Sequence, residues 1–421
     1  MKHIVFVLGS YYPRFSAVGV CAHRVIEALK ADYRDFKISV VAIAGEDAEE
    51  PRIRLDGIDI YRVTTPEIIA RNRLKHRLRS RRSAADRLWM LMLRVRSTLR
   101  RLFASATIDV PLVRVFSQQL EELGNIDVVV PLVLPFESVL AALDYASVHE
   151  DVRVVPYLFD NFVESASLHV VELARTLKQP RHLQLEADMI AGSATVLAMH
   201  PLRRHFEKFF DGGRLEKIRF LEHPLLLRSQ SPAHSRQGKT SLVYTGALMH
   251  RVRDADYLVE LLRGLDGPPM EIDFYVMGNA AGKIKSETTG AGIQIRNFGQ
   301  VSKAEAMAAV ARATILLSIG EFRGQQISSK IFEYMATGKP IIHLTYVEDD
   351  VDSKILAKYP LALILLQTPT LRKSNRQRMQ EFIRRHSASS LDFETVAALY
   401  PEALPSATAE VIADIVESDG R

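Results

Sequence analysis

Mostly apolar runs at 3–8, 38–44, 127–134 and 152–158, with a further strand-like stretch at 58–63, constrain this chain more than any other feature. A strand with one face in water alternates apolar and polar side chains. A continuous run therefore marks a strand covered on both faces, as in a parallel sheet held between two layers of helix. The residues after the first run agree. Gly9, Ser10, Tyr11, Tyr12 and Pro13 make a loop, and Ala22, Val25, Ile26 and Leu29 then recur at the spacing of an amphipathic helix. The fold class is α/β.

Near residue 230 the texture changes. Residues 228–238 read Arg-Ser-Gln-Ser-Pro-Ala-His-Ser-Arg-Gln-Gly and hold almost nothing to bury, which marks a linker. Beyond it strand-like stretches restart at 241–245, 272–277, 293–298, 314–319 and 340–344, and Ser302 with Glu305 predicts a capping box on the helix between two of them. A chain of 421 residues exceeds what one core usually organises. The expected organisation is a first domain at 1–227, a linker at 228–238, a second domain at 239–395, and a helical tail at 396–421 that returns to the first domain. Doubly wound sheets bind ligands at the carboxyl ends of their strands.

Composition removes several classes. Cys21 is the only cysteine, so the chain forms no internal disulfide and has no thiol set for structural zinc, which points to the cytoplasm. The first apolar run is far shorter than a signal-peptide core, and no stretch of about 18 apolar residues exists to span a bilayer. Neither a Gly-x-x-x-x-Gly-Lys loop nor a Gly-x-Gly-x-x-Gly turn follows the first strand, which argues against an NTPase or a nicotinamide enzyme. Asp350 and Asp352 form an Asp-x-Asp pair of the kind that binds manganese elsewhere, but they continue an acidic run from Glu348 and read as a solvated loop.

The most informative stretch is 325–342, Gln-Gln-Ile-Ser-Ser-Lys-Ile-Phe-Glu-Tyr-Met-Ala-Thr-Gly-Lys-Pro-Ile-Ile. Ser328 or Ser329 can cap a short helix, Gly338 can end it, and Pro340 opens the next strand. Free amides at a helix start suit a diphosphate, and Lys330 adds a cation there. Glu333 lies about one turn further in, where a carboxylate can accept both ribose hydroxyls while staying clear of the phosphates.

This string resembles the nucleotide-binding signature of the retaining GT-B glycosyltransferases of family four, in which a glutamate is followed after seven residues by a second that binds the ribose. Glu333 matches the second position, and Gln325 stands at the first. The form Ser-Lys-x-x-Glu-Tyr-Met before Gly-Lys-Pro resembles polysaccharide-assembly members. Tyr244, Thr245, Gly246, Gly278 and Gly299 extend the resemblance over most of the second domain.

The resemblance implies the GT-B fold, two Rossmann-like doubly wound domains facing a central cleft. It implies transfer of a hexose-type sugar from a nucleotide diphosphate sugar to a glycan or lipid-linked saccharide, with retention favoured. No metal and no cofactor is expected, since the nucleotide sugar is a substrate. Donor contacts fall at Gly246, Gly278, Gln325, Ser328, Ser329 and Glu333, with the base beside Asn297, Phe298 and Gly299. Ala247 replaces the usual arginine after the strand-ending glycine, so Arg253, then Arg251, join Lys330 as the cations that offset leaving-group charge. In the first domain Gly19 falls at the donor side, and Asp160, with Glu137 as a second candidate, on the acceptor side. Two rivals remain: a GT-B nucleotide-sugar epimerase, whose carboxylate and histidine set is not found in the first domain, and a non-catalytic nucleotide-sugar-binding assembly protein, favoured if Gln325 and Ala247 mark a decayed site.

The net charge of +5 is unevenly spread. Residues 71–101 carry twelve arginines and lysines against one acid, Asp86, while Leu88, Met92, Val95, Leu99 and Leu102 recur at helical spacing with Trp89 beside them. Such a basic amphipathic segment, 71–103, suits an anionic membrane surface at the inner face, or it packs its apolar side on the first domain. No nucleic-acid-binding motif accompanies the charge.

Overall fold

The computed structural model describes residues 1–13, 15–45, 50–80, 83–103, 107–163, 172–228, 240–250, 252–289, 292–325 and 327–418. Most of the expected linker, 229–238, lies outside them. The chain forms two compact units, Met1–Pro224 with Pro405–Arg421, and Leu225–Leu404. The return to the first unit comes at Pro405, so residues 396–404, assigned to the tail from the sequence, belong to the second. There they form the end of the helix Phe393–Leu399 and a following turn.

In the first unit, strands β1 (Lys2–Leu8), β2 (Phe36–Ile43), β3 (Arg52–Leu55), β4 (Ile58–Val63), β5 (Val128–Pro131) and β6 (Arg153–Val154) form one sheet in the order β3-β4-β2-β1-β5-β6. Every pairing is parallel except that of the edge strand β3. The central strand β1 is buried from His3 to Leu8, as its unbroken apolar run requires. The run at 152–158 is two strands, because Pro156, with no N–H to give a ladder, separates β6 from β7 (Tyr157–Leu158). With β8 (Val196–Met199) and β9 (Ile218–Leu221), β7 makes a short parallel sheet attached through a bridge from Tyr157 to Leu132. The last helix, Pro405–Glu417, packs on the first, Ala17–Asp32.

Among its described residues the second unit has seven strands: β10 (Thr240–Ala247), β11 (Met270–Met277), β12 (Glu287–Thr288), β13 (Gln294–Asn297), β14 (Ile315–Ile319), β15 (Ile341–Thr345) and β16 (Ala362–Leu366). Their order is β12-β13-β11-β10-β14-β15-β16, parallel except at β12. Leu242, Tyr244, Ile272 and Phe274 face one core and Val243 and Leu316 the other, where they meet Phe332 and Met335. The helix Lys303–Arg312 opens with both halves of the capping box formed by Ser302 and Glu305. Its far end is closed by Lys339, whose ammonium donates to the carbonyls of Val310, Ala311 and Ala313.

In each main sheet the strand order reverses once, between β1 and β5 and between β10 and β14. The crevice outside the carboxyl ends of strands at such a reversal is where open parallel sheets hold ligands.

Candidate functional site

Two loops flank the reversal in the second unit, one after β10 and one after β14. The helix Ser329–Met335 follows the second loop. Ile331, Phe332, Tyr334 and Met335 point into the core, each apolar side chain worth about 1.5–3 kcal/mol when fully buried. The Tyr334 hydroxyl accepts the N–H of Thr245 at 3.1 Å and lies 2.9 Å from the Thr245 hydroxyl. Burial pushes that phenol up to about 12, so it stays neutral and serves as an anchor. Lys330 stands one turn before Tyr334 on the same face. A Cβ placed on Gly246 would lie 3.6 Å from its Cε, so the lysine crosses the end of β10. Glu333 and Lys330 are half-buried, and neither makes a hydrogen bond or ion pair among the described residues.

Ser328 occupies the N-cap position, but its hydroxyl makes no cap bond. Its N–H instead donates to Asp352 Oδ1 at 2.9 Å. Asp352 is 1% exposed and Asp350 fully buried, which overturns the solvated-loop reading of this pair. Asp350 caps the helix Val351–Leu356 and accepts from the Ser353 N–H and hydroxyl, with His343 Nε2 at 3.0 Å. Burial works against its charge, but the hydrogen bonds from His343 and Ser353 win and hold its carboxyl below the usual range. For Asp352 burial wins, and its carboxyl rises to about 6 although His343 and Arg253 oppose the shift.

Arg253 ends a tight turn in which its N–H donates to Met249 O at 3.0 Å. The two loops are tied there, since Val252 O accepts the Phe322 N–H at 2.8 Å, and the Tyr346 hydroxyl, just after β15, both receives the Asp254 N–H and donates to its carbonyl, each at 3.0 Å. The Arg253 guanidinium stands near the hydroxyl of buried Tyr244, where its charge opposes the rise that burial imposes on that phenol. Gly278 makes the turn possible. A Cβ there would sit 2.3 Å from Leu248 O, and its φ of 105° suits only glycine. The exposed Ala247 follows Gly246, and Arg251 lies outside the described residues.

The other expected residues divide. Ser329 and Gln325 are exposed at the loop, with the Gln325 N–H on Glu321 Oε1 at 2.8 Å. Asn297 is spent internally: its amide nitrogen donates to the carbonyls of Ala281 and Ile284, and its oxygen receives the Gly299 N–H. Phe298 stacks on Tyr275 at 4.8 Å and lines a groove of about 240 Å³ with Asp273, Arg296 and Arg312. None of the residues around that groove belongs to the Lys330 and Arg253 set.

In the first unit Gly19 is the third residue of the helix Ala17–Asp32, and its N–H is taken by the Ser16 cap at 3.0 Å. A Cβ there would meet Ser10 O at 2.6 Å, so glycine lets the helix approach the loop after β1. Its amide is not available to a donor phosphate. Asp160 is exposed just beyond β7, near enough to act on the Cys21 thiol, which burial first of all holds high. Glu137 is buried and receives the Asp109 N–H at 2.6 Å, a structural role. Sequence reasoning missed His23 and Phe15 at this reversal, where the Tyr11 hydroxyl lies 2.7 Å from His23 Nδ1 and Phe15 packs on both rings.

No family model and no curated protein matches the sequence. Among solved structures, 171 chains match. The apo structure of OtsA is similar at a TM-score of 0.57 with 11% identity, all of both chains being covered. α,α-Trehalose 6-phosphate synthase from Burkholderia multivorans gives 0.53 with 14% identity over 100% of this chain and 99% of that one. Sucrose-phosphate synthase from Thermosynechococcus elongatus gives 0.53 with 11% identity over 99% and 98%. At such identities the likeness is one of fold. The chain has the GT-B architecture of glycosyltransferases, two domains each built on a parallel sheet.

Proposed function

We propose that the chain is a glycosyltransferase that takes a hexose-type sugar from a nucleotide diphosphate sugar and passes it to a glycan or lipid-linked saccharide. The observation that carries this reading is the junction at the β10/β14 reversal. Tyr334 pins the helix to Thr245, which brings Lys330 over Gly246, while the tied loops hold Arg253 at the same strand end. A nucleoside diphosphate leaves with developing negative charge, and fixed cations at the position where that charge appears lower the barrier without reorganising. Lys330 and Arg253 supply those cations, so no metal and no protein nucleophile is invoked. Glu333, on the turn after Lys330, takes the ribose hydroxyls, and retention of configuration is the favoured outcome by resemblance of the surrounding string. Asp160 stands for the acceptor side.

Gln325 and Ala247 favour a second reading, a protein that binds the nucleotide sugar without turning it over. The two separate in one assay. Release of nucleoside diphosphate from a panel of nucleotide sugars, with water or oligosaccharide as acceptor, is measured for the wild type and for Glu333→Ala. Turnover lost in the variant supports transfer, unchanged turnover defeats it, and donor binding without turnover in the wild type leaves the second reading.

A further inference from the structure

The helix Ala84–Phe103 keeps a large apolar stripe in water. Leu88, Leu91, Met92 and Val95 are between 46% and 58% exposed, and Trp89 beside them is 50% exposed. At 100° per residue the four aliphatic side chains fall within one face about a third of the circumference wide, the width of a buried helix stripe. The helix is nevertheless not short of a partner on its other side. Met90 is 8% exposed and lies opposite the stripe, the helix Pro66–Ser80 packs against it, and Leu74 of that helix is 1% exposed. Continuous exposed apolar area of this kind marks an interaction surface.

The charge around it names the partner. Twelve arginines and lysines lie between 71 and 101 against one acid, Asp86, and that carboxylate already faces Arg77 at 3.8 Å. Arg71, Arg73, Arg87 and Arg96 are exposed. On the helix wheel Arg87 and Arg96 flank the stripe on its two sides, where their long stems can lie along apolar matter with the heads in the polar layer. An apolar face between cationic borders, with a tryptophan at the edge, fits an anionic bilayer surface into which the stripe sinks by several ångströms. A protein partner would have to be both apolar and strongly acidic. No helix among the described residues is long and apolar enough to cross a membrane, so the attachment is to one leaflet.

We propose that the helix Ala84–Phe103 binds the surface of an anionic lipid bilayer, holding the first unit at the membrane. This goes beyond the sugar-transfer reading and stands or falls without it. The test is sedimentation of the full chain with vesicles of phosphatidylcholine alone or with added phosphatidylglycerol. Binding is expected only to the anionic vesicles and is lost at high salt. Leu91→Glu with Val95→Glu abolishes it, and Arg87→Gln with Arg96→Gln weakens it on the order of twentyfold, about fivefold for each charge near the surface. Both variants are checked by circular dichroism and melting temperature, since exposed positions leave the fold intact. Equal binding to both vesicles, or none to either, overturns the proposal. So does a concentration-dependent dimer in solution that Leu91→Glu with Val95→Glu dissociates, since a second copy then covers the stripe.

Discussion

The two main sheets reverse strand order in the same way, yet what stands at the two reversals differs. At the ends of β10 and β14 stand Lys330, across Gly246, and Arg253, at the turn after β10, with Asp352 fastening the loop before the Lys330 helix. After β1 and β5 it holds Tyr11, Phe15 and His23, an aromatic cluster in which burial lowers the pKa of the imidazole although Glu27 pulls it up. A diphosphate requires fixed cations; a neutral hydroxyl-bearing acceptor does not. The contrast fits a division in which the second unit handles the charged donor and the first unit the uncharged partner.

The sharpest way to break that contrast is Lys330→Met. Loss of one preorganised charge from a transition-state site costs about 10²–10³ in kcat. A smaller loss than tenfold, measured as nucleoside diphosphate release, would remove the lysine from the chemistry.

Asp352→Asn comes next. The Asp352 carboxyl is displaced from 3.8 to about 6, chiefly by burial, a difference worth on the order of 3 kcal/mol. A pKa raised in the folded state means that the stability tied to the proton is fully present below pH 3.8 and lost as pH rises through about 6. Asparagine keeps an oxygen for the Ser328 N–H and cannot ionise. The variant's stability relative to wild type should therefore climb between pH 4 and pH 7, as read from urea midpoints. A difference that is flat with pH would show the carboxyl to be ordinary.

Gly278→Ala should cost about 2 kcal/mol, because alanine is strained at that φ and collides with Leu248 O. Unfolding in urea measures it, and an unchanged midpoint would mean that the turn carrying Arg253 is not built as described. Arg253→Lys should lower kcat about tenfold, since a point charge cannot make the bidentate phosphate contact of a guanidinium. The smallest effect sharpens the comparison from the other side: Asp160→Asn should leave nucleotide binding unchanged by calorimetry and slow only transfer to the acceptor.

Much of this was legible beforehand. Continuous apolar runs reveal central strands because both faces of a parallel sheet are covered, and Ser302 with Glu305 marks a helix start through bonds only three residues apart. The short helix Ser329–Met335 is legible for the same reason, being local. What stayed hidden depends on residues far apart in sequence. Nothing near Asp352 announces that it will meet Ser328, and the acidic run from Glu348 reads as solvent-facing until the fold buries it. Asn297 resembles a base contact, yet its amide is consumed by the turn at Ala281 and Ile284. Tyr11 and His23 come together only because the Gly19 helix packs on the loop after β1. Strands such as β6 and β7, two residues each, carry too little pattern to be separated in advance.

The central claim is that the β10/β14 reversal binds a nucleoside diphosphate. Its most direct test is the melting temperature of the wild type, Lys330→Met and Glu333→Ala with uridine, guanosine and adenosine diphosphates. At a hundredfold excess over Kd, one ligand should stabilise the wild type by about 2.7 kcal/mol, with the shift largely lost in both variants. A shift of equal size in all three proteins, or no shift with any nucleotide, would contradict the account.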